Sequence, residues 1–74
     1  MKILMFGASN YFLKHAIYEI EEYKKYFEVE IIGFIDNDNS KVGKSFYNKP
    51  IISISDLEMY EYDYIYVSSS YFEE

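Results

Sequence analysis

Two short apolar runs with a helix-period segment between them constrain this fold more than any other feature. Lys2–Phe6 reads Lys-Ile-Leu-Met-Phe and ends at Gly7, the form of a strand buried on both faces. From Tyr11 to about Phe27 the spacing changes. Leu13, Ala16, Ile17, Ile20, Tyr23 and Phe27 fall on one helical face, with Lys14, His15, Glu19, Glu22 and Lys25 on the other. Ser9 or Asn10 is a natural N-cap, and Glu21 is placed to pair with Lys25. Val29–Ile35 is rich in β-branched residues and ends in Asp36-Asn37-Asp38-Asn39-Ser40, a turn signal. Strand, helix and strand within residues 2–35 make a βαβ unit, whose strands run parallel through a right-handed crossover.

The second half is less regular. Val42–Lys49 reads as an excursion loop with a short extended stretch. Pro50–Ser53 follows as a brief strand, and its leading proline favours a sheet edge. Ser55-Asp56-Leu57-Glu58 fits a capping box and predicts a short helix over about Asp56–Tyr60. Tyr62–Ser68 gives another strand, with Ser68-Ser69-Ser70 as a loop at its carboxyl end. Tyr71–Glu74 reads as the first turn of a further helix, so the expectation is a single partial domain over residues 1–74.

Composition sets the margin. A chain of 74 residues buries only about 60% of the surface its unfolded form exposes. It has no cysteine, hence no disulfide and no thiolate chemistry. The core carries the stability, and 22% aromatic residues give it large side chains. A formal charge of −6 disfavours phosphate backbones and anionic lipid surfaces, so neither nucleic acid nor membrane is the expected partner. No apolar run approaches the roughly 20 residues of a membrane span, and Met1–Phe6 is too short for a secretory signal. A cytosolic protein is the default reading.

The chemistry, where there is any, gathers at one place. A strand ending in Gly7 and running into a helix N-terminus makes an anion site of Gly7, Ala8, Ser9 and Asn10. The alternative is an ordinary βα turn: of the three glycines in a dinucleotide fingerprint only Gly7 is present, with Ser9 and Phe12 at the others. Asp36 stands where such folds use an acid for ribose hydroxyls or a base edge, with Asn37 and Asp38 beside it. A self-capping Asx turn is the competing reading there, and it is preferred for Asn39 and Ser40. The run lacks the glycine and closing glutamate of a calcium loop. Ser68, Ser69 and Ser70 complete a set of three polar clusters at the carboxyl ends of parallel strands, where ligands of open α/β sheets bind. His15, the one histidine, lies on the polar helix face, and no residue spacing suggests a metal or a nucleophilic triad.

The pieces K-I-L-x-F-G-A-S, V-x-I-I-G-F-I-D-N-D, K-x-G-K, K-P-I-I-S-I-S-D-L and D-Y-I-Y-V-S-S resemble a specific Rossmann-like domain. It stands at the front of bacterial sugar-nucleotide enzymes for surface polysaccharides and glycans, such as UDP-amino-sugar acetyltransferases and polysaccharide-biosynthesis epimerase/dehydratases. The resemblance covers essentially the whole chain. It implies an α/β, Rossmann-like three-layer fold with a small parallel sheet in the order 3-2-1-4, truncated, the third strand being Pro50–Ser53. It implies a non-catalytic nucleotide- or nucleotide-sugar-binding module, with a UDP-sugar or NAD(P) as ligand and Gly7, Ala8, Ser9 and Asp36 holding it. The parent protein would be a sugar-nucleotide-modifying transferase or epimerase, and a homo-oligomer or the remainder of a larger chain would be its partner. Phe12 is the main departure, a large side chain that could fill the phosphate space. The alternative is a degenerate domain with a structural or assembly role and no ligand.

Overall fold

A strand of consecutive apolar residues needs neighbours on both sides and cover on both faces. A computed structural model describes residues 1–67 and supplies both for β1, Lys2–Phe6. The chain is a small mixed α/β unit with a five-stranded, mostly parallel sheet in the order β3-β4-β2-β1-β5. Here β2 is Glu30–Ile35, β3 Ser45–Phe46, β4 Lys49–Ile52 and β5 Tyr64–Val67. All pairings are parallel except β3 with β4.

Alternation along β1 builds two cores. Ile3 and Met5 point to the face covered by the helix and pack with Phe12, Ala16, Ile20, Ile31 and Phe34. Leu4 points the other way and packs with Ile35 and Ile52, under Leu57 and Tyr60. In β2 the same-face partners are Ile31 and Phe34, three residues apart, where a regular strand would need two. The register explains this: Ile3 pairs with Ile31 but Leu4 with Gly33, so β2 carries an extra residue at that step. Gly33 belongs there because a Cβ on it would lie 3.2 Å from the Pro50 carbonyl oxygen and 3.4 Å from Leu4 Cδ2.

The helix differs from its expected form. A π-helical segment, Phe12–Ala16, runs directly into α1, Ile17–Tyr23. The wider i→i+5 turn rotates the buried stripe onto Phe12, Ala16 and Ile20, leaving Leu13 exposed. Neither Ser9 nor Asn10 provides a side-chain cap; the Phe12 N–H donates to the Ser9 carbonyl instead. The helix ends before Phe27, which with Tyr23 stays exposed. Exposed ion pairs form at i,i+3, Glu21 with Lys24 and Glu22 with Lys25, rather than between Glu21 and Lys25.

The excursion loop contains a hairpin. Ser45 pairs with Pro50 and Phe46 with Lys49, leaving Tyr47 and Asn48 as a two-residue turn with φ of 50° and 62°. Positive φ at both positions marks a type I′ turn. The strand begun by proline is therefore interior to the sheet, between β2 and β3; Pro50 is tolerated because pairing with β2 starts only at Ile51. The expected capping-box helix is a 3₁₀ helix, Ile54–Met59, with no side-chain cap. Ser53 and Ser55 hydroxyls bond each other at 2.7 Å. The last strand starts at Tyr64, later than expected, and is anchored by Asp63, whose carboxylate accepts from the Lys2 N–H at 2.7 Å.

Candidate functional site

The turn after β1 is fixed by backbone geometry. Gly7 has φ of 112°, a conformation that costs an L side chain strain. Its N–H donates to the Ile35 carbonyl at 2.8 Å, which ties the end of β1 to the end of β2. Asp36, the next residue of β2's exit, closes the same junction. Its Oδ2 accepts from the buried Ala8 N–H at 3.0 Å, and its Oδ1 from the Asp38 N–H at 2.9 Å. Gly7, Ala8 and Asp36, predicted to share one sheet edge, are thus in direct contact.

Of the two readings the sequence left open for Asp36, the self-capping Asx turn is the one its bonds form, and the same carboxylate also braces the turn after β1. Asp38 repeats the motif, accepting from Ser40 Oγ at 2.6 Å and the Ser40 N–H at 3.0 Å. The Ser40 hydroxyl bond, and then its backbone bond, hold the Asp38 carboxyl below its ordinary value, and Lys41 and Lys44 act in the same direction. Asn37 is exposed beside them. Ser68, Ser69 and Ser70 lie outside the described residues, as does the expected helical turn at Tyr71–Glu74.

Phe12 does not obstruct the loop. It is fully buried, with its ring edge-on to Phe34 at 4.9 Å and to Tyr47 at 5.2 Å. His15 is exposed and stacks on Tyr11 at 4.8 Å.

A cleft of about 450 Å³ opens beside the loop. It is lined by Ala8, Ser9 and Asn10, by Lys41, Lys44 and Ser45, and by the apolar Phe46 and Ile51. Lys41 crosses the junction: its Nζ donates to the Ala8 carbonyl at 3.0 Å and lies 3.8 Å from Asp36 Oδ2. These lysines were not among the residues singled out as binding candidates. The signal was present in Lys41-Val42-Gly43-Lys44, two of only seven basic residues directly after the acidic turn. A more apolar groove of about 460 Å³, bounded by Met1, Ile20, Tyr23 and Tyr64, lies at the opposite, amino ends of the strands.

The sequence matches the family described as C2185-like, N-terminal, over residues 1–74. The chain belongs to that family. No curated protein and no solved structure matches it. In this C2185-like N-terminal domain, then, the site consists of a glycine turn clamped by Asp36, with two lysines lining the cleft beside it. No group of three or more His, Cys, Asp or Glu among the described residues is placed to hold a metal ion, and no helix there is long and apolar enough to cross a membrane.

Proposed function

We propose that this chain is a Rossmann-like, nucleotide- or nucleotide-sugar-binding module of a bacterial surface-glycan biosynthesis protein, working in the cytoplasm. Its role is to bind, with chemistry supplied by another part of a transferase or epimerase. Gly7, Ala8, Ser9, Asn10, Asp36, Asn37, Asp38 and Ser68 are the proposed contacts, with a UDP-sugar or NAD(P) as ligand.

The observation that carries this reading is the cleft at the carboxyl edge of the parallel strands, lined by the loop and two lysines. Phe12 supports it too. Its side chain fills the helix–sheet core and leaves the loop mouth open. A structural or assembly role without ligand is favoured by a different observation, the internal use of the Ala8 N–H by Asp36. Amide-shift titration with UDP, UDP-N-acetylglucosamine and NAD separates the two. Binding predicts saturable shifts at Gly7–Asn10 and Asp36–Asp38 below about 1 mM, a free energy near −4 kcal/mol. Flat spectra with all three ligands at several millimolar would leave the structural role.

A further inference from the structure

We infer that the ligand's phosphate is held by the Lys44 and Lys41 ammonium groups, approached from the β3–β4 hairpin side, and not by the amides of the glycine turn. This rests on the nucleotide-binding reading and assigns the part of that site which recognises charge.

A glycine loop binds phosphate with free backbone N–H groups. Here the two at the glycine turn itself are engaged. The Gly7 N–H serves Ile35, the Ala8 N–H serves Asp36 and the Phe12 N–H serves Ser9. The group on Ala8 is itself a carboxylate, so the turn already holds an anion where a phosphate would be expected. A second anion within a few ångströms of it would be repelled, and more strongly beside a protein surface than in bulk water.

The lysines that line the cleft have the opposite character. Lys44 forms no ion pair or side-chain hydrogen bond among the described residues, and its position is set by its backbone: its N–H donates to Lys41 and its carbonyl accepts from Ile51 at 2.9 Å. Lys41, pinned to the Ala8 carbonyl, offsets the Asp36 charge and brings a second ammonium to the same space. Ser45 lines the same cleft, beside the apolar Phe46 and Ile51. Lys41 is balanced by Asp36 at 3.8 Å, so Lys44, with no ion pair among the described residues, is the cation that attracts an anion to the cleft.

The test compares the whole chain with Lys44→Gln and Lys24→Gln, the latter an exposed helix lysine that makes the same charge change far from the cleft. UDP is titrated at low salt and followed by amide shifts, with thermal midpoints confirming that each variant folds. The expected result is a Kd raised at least tenfold by Lys44→Gln and less than twofold by Lys24→Gln, with the largest shifts at Lys44 and Ser45. If UDP binds Lys44→Gln as tightly as the unaltered chain, the lysine assignment is wrong and the nucleotide reading stands. If UDP fails to bind the unaltered chain, the nucleotide reading falls, and pyrophosphate decides the rest. Shifts at Lys44 and Ser45 that Lys44→Gln abolishes would sustain the anion subsite, and their absence would overturn it.

Discussion

Gly33 shows how one residue type is dictated by packing rather than by conformation. Local propensity favours a β-branched residue inside a strand such as β2. The bulge brings Gly33 against the Pro50 carbonyl of β4, and that backbone contact overrides the propensity. Gly33→Val is therefore expected to destabilise the domain by about 2 kcal/mol, the range for overpacking a closed interior. For a chain of this size that lowers Tm by roughly 8–16 °C. A thermal melt followed by circular dichroism reads it, and an unchanged or higher Tm would show that propensity, not the contact, governs the site. Asp36 makes a similar point for function. Its place beside the turn was legible from topology, because the ends of adjacent parallel strands must be neighbours. Which of its bonds it would make was not, since both the Ala8 and the Asp38 N–H groups lie within reach and it takes both.

At the scale of elements, apolar periodicity gave the strands and the existence of the helix, and failed where geometry departed from a regular repeat. The π-helical start moved Leu13 out and Phe12 in, a rotation no α-helical wheel contains. The hairpin was missed because its turn, Tyr47-Asn48, lacks the glycine that usually announces positive φ. Phe12 and Phe46 explain why a tyrosine is kept there: the Tyr47 ring packs edge-on against Phe12, which is itself 6.0 Å from Phe46. Asn48 has no ring contact to compensate for its backbone. Asn48→Gly should thus stabilise the domain, by about 0.5 kcal/mol given that asparagine already tolerates the left-handed region. Urea unfolding measures this as a higher midpoint at unchanged slope. The lysines at 41 and 44 escaped notice for a related reason. They sit in the turn that follows Asp38, whose fold-back brings Lys41 to the Ala8 carbonyl, and sequence spacing does not encode that contact.

The whole molecule must reconcile a net charge of −6 with a site proposed to take an anion. Its extents are 33 × 30 × 22 Å, so at about 0.01 M salt, where the Debye length is about 30 Å, every carboxylate repels every other across the fold. At about 0.1 M the range falls to about 10 Å, and only neighbours interact. Close opposite pairs such as Lys25–Glu22 at 3.1 Å are exposed and contribute little in either condition. Repulsion is therefore the larger global term, and screening it should raise stability by about 0.5 kcal/mol, or roughly 2–4 °C in Tm. Ligand affinity should move the opposite way over the same range, because ammonium–phosphate attraction is screened by the same ions. A Tm that falls as salt rises would mean that attractive contacts, the Lys41–Asp36 junction among them, outweigh the repulsion.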